Sequence, residues 1–240
     1  MKAYRLFSTA AFAAFLGQVV LYAGGMVFGW PWAWAASGAS AAMAFLLVLL
    51  TLQAELTPPT PGANDNATGA GLVLTLAEDL AAKPLVKSRV WCLCSGSEEA
   101  LHEGAKAFFA RHRSEMREPR AVVFEMLGCG RPAWGTKEGF VIPLWSAPGL
   151  RRLAGEVAAE HPQWGARPGG LAGGVTEMSD AILAGVPAIT IICLDERGRA
   201  PYWHLPTDTV DKMDSLPGGA MDSAYRFVRA ILERLDRSQG

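Results

Sequence analysis

No charged residue stands between Arg5 and Glu55 of this 240-residue chain. A stretch of that length without an ionic side chain has no solvated face, so it does not read as part of a water-exposed helical surface. Histidine is scarce: there are four, and none precedes His102, so any imidazole ligand must come from residue 102 onward. Cysteine is scarce too, with Cys92, Cys94, Cys129 and Cys193 as the full set. No second pair at zinc-site spacing exists, which argues against a cysteine zinc site and leaves buried free thiols, in keeping with a reducing compartment. Cys92 and Cys94 alternate in an apolar run and are expected on one face of a buried strand. The formal net charge is only -1 and no basic stripe is present, so nucleic acid is not an expected partner. Internal repeats and low-complexity tracts are absent as well.

The uncharged region divides in two. Leu6–Val27 and Ala33–Leu52 are each close to the ~20 residues a helix needs to cross a bilayer. Between them lies Gly29-Trp30-Pro31-Trp32-Ala33-Trp34, with residues that turn the chain and indoles suited to a lipid–water interface. The expectation is a transmembrane helical hairpin over residues 1–54, in contact with membrane lipid. Lys2 and Arg5 precede the first segment and the turn carries no positive charge, so both ends, and the globular part with them, are expected in the cytoplasm of a multi-pass membrane protein.

Residues 55–240 read as an α/β domain with a largely parallel or mixed sheet flanked by helices. Helical spacing of Leu72, Val73, Leu76 and Leu80 predicts a helix over about 70–82. Buried strands are expected at Arg89–Cys94, Ala121–Met126 and Pro187–Cys193, with a further strand at Phe140–Leu144. Helices are expected at Ala100–Arg113, Leu150–Glu160, Met178–Ala184 and Met221–Leu235. Gly128, Gly130 and Pro132 mark a turn.

Residues with metal-ligand chemistry fall at the boundaries of these elements. Asp65 sits among small residues in Pro61-Gly62-Ala63-Asn64-Asp65-Asn66-Ala67-Thr68-Gly69, where the backbone can come close to an ion. Glu98 and Glu99 follow one strand and Glu125 ends another. His204 lies in the Pro-bounded loop Pro201–Pro206, with Asp208 and Asp211 near enough in sequence to orient it. Such ends of parallel strands are where α/β sheets place their sites. Adjacent acids suit a division of labour in which one binds metal and the other serves as general base. The plainer alternative for Glu98 and Glu99 is a solvated helix start, and Asp180 reads as a helix cap or a supporting acid. His102, His112 and His161 read as helix-surface or helix-end residues.

Taken in order, these pieces resemble the zinc aminopeptidase family that includes secreted bacterial leucyl aminopeptidases, glutamate carboxypeptidase and glutaminyl cyclases. Gly62–Gly69 resembles its bridging-aspartate motif, Ser97-Glu98-Glu99 its base-plus-ligand pair, and Phe124–Gly128 the segment supplying a second-metal carboxylate. Ser179-Asp180-Ala181, Gly185-Val186-Pro187-Ala188 and His204 with Asp208–Asp211 resemble its last motifs. The resemblance implies zinc-assisted hydrolysis of peptides at their N-termini. It implies that Asp65 bridges two zinc ions, Glu99 and His204 complete the first, Glu125 serves the second, and Glu98 is the base. Asp180 and Asp208 would support them from behind. The family also carries a His-x-Asp motif upstream of the bridging aspartate, which has no counterpart here. One zinc ion is therefore expected, and a start lying just before the hairpin would leave that upstream strand out. Two alternatives stay open: a mononuclear acyltransferase like the glutaminyl cyclases, and a catalytically inactive membrane-bound binding module.

Overall fold

The computed structural model describes residues 2–139, 142–171 and 174–238. They form two compact units, Met1–Pro59 and Thr60–Gly240. In the first, α1 (Lys2–Phe28), α2 (Pro31–Ala36) and α3 (Gly38–Leu56) are built from apolar and small residues. Gly29 turns the chain with φ 66°, and Pro31 opens α2, where a missing N–H costs nothing. Helices α1 and α3 pack on each other, with the Ser40 hydroxyl donating to the Gln18 side chain. Phe15, Val20, Phe45 and Leu52 stay exposed along them. Ala10–Phe28 and Pro31–Gln53 are long and apolar enough to cross a membrane.

The second unit is organised by β6 (Ala188–Leu194), whose seven residues are all buried. Such a continuous apolar run is what a central strand covered on both faces requires. It pairs in parallel with β1 (Ala121–Glu125) and antiparallel with β2 (Arg131–Gly135), which pairs in parallel with β5 (Arg167–Gly169). The sheet is therefore mixed, in the order β1-β6-β2-β5. A separate antiparallel pair joins β3 (Lys137–Glu138) and β4 (Leu144–Trp145). Of the strand expected at Phe140–Leu144, Phe140 and Val141 lie outside the described residues, and Leu144 begins β4.

Alternation along β6 sends Ile189, Ile191 and Cys193 into a core with α4 (Thr68–Ala82), α6 (Pro148–Glu160) and α8 (Ala220–Arg237). Ala224, Phe227, Val228 and Ile231 recur on one face of α8, with Phe227 at 0% exposure. Ala188 packs instead with Met178 and Ala181 of α7 (Glu177–Leu183) and Phe109 of α5 (Glu103–His112).

Three expectations need correction. Arg89–Cys94 forms no regular secondary structure and joins no ladder among the described residues. It is tied at its start, where the Asp236 carboxylate accepts from the N–H groups of Val86, Lys87 and Ser88 at 3.0, 2.8 and 2.7 Å. The segment lines a cavity of about 1130 Å³ together with β1, Leu76, Leu80 and Phe108. Cys92 and Cys94 are accordingly exposed rather than buried, whereas Cys129 and Cys193 are buried free thiols. The region read as a turn does bend at Gly128–Gly130, with Gly130 at φ 99°, but Pro132 lies beyond the turn, in β2, where it pairs with Cys193.

Candidate metal centre

The Asp65 loop enters α4 through a backbone that leaves helical geometry at Asp65 and Asn66. Its shape is set by side chains that saturate the backbone. Asn64, fully buried, donates to the Pro201 carbonyl at 2.8 Å and accepts from Gly128 N–H at 2.8 Å. Gly128 lets these groups come close, since a Cβ would fall 2.2 Å from the Met213 sulfur and 2.9 Å from Thr68 and would force those side chains to shift. Asn66 donates to the Phe124 carbonyl at 2.8 Å and accepts from Met126 N–H at 3.2 Å. The loop is thereby fastened to the C-terminal end of β1, where Glu125 emerges.

Asp208 is fully buried, and its two oxygens accept from the N–H groups of Asn64 at 2.6 Å and Asp65 at 3.0 Å. It thus holds the Asp65 loop, where the sequence pointed to the His204 ring. Glu98 and Glu99 lie in a turn before α5, in which Ser97, Leu101 and His102 have left-handed φ values of 57°, 66° and 56°. The turn closes on Gly104, whose N–H donates to the Gly96 carbonyl at 3.1 Å; a Cβ on Gly104 would lie 2.4 Å from that oxygen.

Loop, turn and the His204 corner bring three donors together. His204 Nε2 lies 3.5 Å from Asp65 Oδ2 and 3.4 Å from Glu99 Oε1. The ligand atoms of all three fall within 4.8 Å of one another. One imidazole and two carboxylates with room for water suit a zinc ion. Burial pushes the Asp65 carboxyl up to about 6, with His204 opposing and the charges of Glu99 and Glu98 adding. A crowd of acids around a desolvated carboxylate is an environment that a cation would relieve.

Glu125 does not join that triad. Only 4% exposed, it converges with Glu98 and Glu177, again within 4.8 Å. Burial raises its carboxyl well above the ordinary range, and the neighbouring acids Asp65, Glu177 and Glu98 push the same way. Glu177 begins α7 and accepts from the Ser95 hydroxyl at 2.8 Å. Sequence reasoning missed it, since nothing local distinguishes it from any acid at a helix start.

His102 also departs from expectation. It is buried at 7% exposure, not on a helix surface. Nδ1 lies 2.6 Å from Asp180 Oδ2 and Nε2 lies 3.2 Å from Glu98 Oε1. The hydrogen bond with Glu98 raises the His102 pKa to about 9 despite burial, with Asp180 assisting. Asp180 is buried within α7 rather than capping it; Thr176 is the cap, accepting from Met178 N–H. His112 pairs with Glu115 at 2.8 Å, and His161 stacks on Trp164, so neither enters the site.

With this geometry in hand, comparison with known proteins gives the class. Residues 51–228 match Peptidase family M28, and the chain belongs to that family. Solved structures with a similar fold include the aminopeptidase from Aneurinibacillus sp. strain AM-1, at 21% identity and TM-score 0.54 over 73% of this chain and 40% of that one. BSAP, a zinc aminopeptidase from Bacillus subtilis, aligns at 17% identity and TM-score 0.54 over 75% and 43%. Porphyromonas gingivalis glutaminyl cyclase aligns at 18% identity and TM-score 0.53 over 73% and 64%. The chain spans less than half the length of the two aminopeptidases. At these identities the likeness is one of fold. Curated protein sequences gave no match.

Proposed function

We propose that this chain is a membrane-anchored, zinc-dependent peptidase acting at the N-termini of peptides, with α1 and α3 as its spans and residues 55–240 as the catalytic domain. The observation that carries the reading is the convergence of Asp65, Glu99 and His204 from three separate loops, with Glu98 adjacent to the ligand Glu99 in sequence and close enough for its charge to act on the Asp65 carboxyl. Asp65, Glu99 and His204 would hold the ion. When bound, zinc would polarise a carbonyl and acidify water, as it does in other hydrolases. Glu98 would take a proton from water as its oxygen attacks the carbonyl carbon of the first peptide bond. The same carboxyl would then return that proton to the departing amine, releasing a free amino acid and a shortened peptide. Glu125 and Glu177 would remain beside it as a second acidic group.

A second reading, a glutaminyl-cyclase-like acyltransferase, is favoured by one feature. Of the two candidate metal groups among the described residues, only Asp65, Glu99 and His204 includes a histidine, which favours a single ion. In that reaction the substrate's own N-terminal amine attacks its glutamine side chain and ammonia leaves. Ammonia release from an N-terminal glutamine peptide without a free amino acid would identify it.

Glu98→Gln tests the base. It keeps the size and a hydrogen-bonding end but cannot accept a proton. Turnover of an amino-acid amide should fall at least about a hundredfold while zinc content and folding hold. Unchanged turnover would refute the assignment.

A further inference from the structure

We propose that His102 is a positioning residue for Glu98, itself held by Asp180, so that Asp180–His102–Glu98 forms a buried relay behind the candidate base. The inference rests on the reading of Glu98 given above and extends it to two residues that touch neither the ion nor the substrate.

The geometry is specific. Glu98 precedes α5 in a turn without regular structure and is about one third exposed. Left alone, a three-torsion side chain in that setting samples several rotamers. His102 restricts it from two directions. Its backbone N–H donates to the Glu98 carbonyl at 2.9 Å, and its Nε2 lies 3.2 Å from Glu98 Oε1. One carboxylate oxygen is thereby engaged and Oε2 is left for the water proton. A histidine ring can do this only if its other nitrogen is satisfied. Asp180 meets that need at 2.6 Å, from a helix 78 positions away in sequence. The left-handed backbone at His102, φ 56°, is what turns its ring inward toward α7 instead of along the surface of α5. A non-glycine residue in that region is uncommon, and histidine is among those that tolerate it. Both nitrogens face carboxylates, so the ring acts as donor at both ends.

A packing role alone would be met by any side chain of similar bulk. The test therefore compares His102→Leu, which fills space without a donor, with His102→Gln, whose amide N–H reaches the place of Nε2. On the full chain in detergent micelles, His102→Leu should lower kcat about tenfold or more, a fraction of what a base contributes, with KM and zinc content unchanged. His102→Gln should recover most of that loss. In a Glu98→Gln background neither substitution should slow the reaction further. Histidine-selective 15N NMR supplies a readout independent of turnover: Glu98→Gln should shift the Nε2 signal of His102, and Asp180→Asn its Nδ1 signal. If Glu98→Gln is slow and His102→Leu is as fast as the parent, the relay is wrong and the base stands. If Glu98→Gln is itself fast, the base assignment fails and the relay's role fails with it. Nitrogen signals of His102 indifferent to Glu98→Gln overturn the relay directly.

Discussion

Individual residues in this domain are governed by where a carboxylate can be ionised. Glu138 is a case outside the proposed metal centre. It is 6% exposed and accepts from Thr176 N–H at 3.1 Å and from the Thr176 hydroxyl at 2.9 Å. Burial nevertheless lifts its carboxyl to about 7, against those hydrogen bonds and the nearby His102. A raised folded pKa means the native state holds its proton more tightly than the unfolded chain. Stability is therefore complete below about 4.5 and declines as pH rises to about 7. At 1.36 kcal/mol per pKa unit, the full decline is about 3 kcal/mol. Glu138→Gln should flatten it, as measured by thermal midpoints in detergent between pH 4.5 and 7.5. A parent-minus-variant difference that does not vary with pH would contradict this. The sequence exposed Asp65, Glu98, Glu99 and His204 because each sits in a short punctuated motif. It hid Asn64, His102 and Glu177 because their partners, such as Pro201, Asp180 and Glu125, are supplied by distant elements.

At the scale of elements, burial separates what was legible from what was not. β6 and α8 announce themselves, one as an unbroken apolar run and the other as an apolar stripe at helical spacing. Phe227, fully buried against Trp134 with ring centroids 6.0 Å apart, should cost about 3–5 kcal/mol when cut to alanine. Arg89–Cys94 has the same apolar look, but its backbone finds no ladder among the described residues and Val90 is 38% exposed. Val90→Thr should accordingly stay within about ±0.5 kcal/mol. Denaturant titration of both variants checks the contrast; a large loss at Val90 would mean the segment is a core strand after all. Pro132 was misread for the converse reason: following Gly128 and Gly130 it signals a turn, and only the pairing of Arg131–Trp134 with β6 makes it part of a strand.

For the whole molecule, the proposed function assigns the two units to different solvents. The apolar side chains of α1 and α3 remain exposed, which in water would be an aggregation hazard and in lipid is the expected arrangement. The intact chain should need detergent, and removing residues 1–54 should release the remainder into the soluble fraction; an intact chain that stays soluble without detergent refutes the spans. The claim on which the account turns is that Asp65, Glu99 and His204 make one zinc site. Elemental analysis of the purified full chain tests it most directly. Zinc should accompany the parent and be lost from the Asp65→Ala, His204→Ala double variant. Undiminished zinc in that double variant would contradict the site.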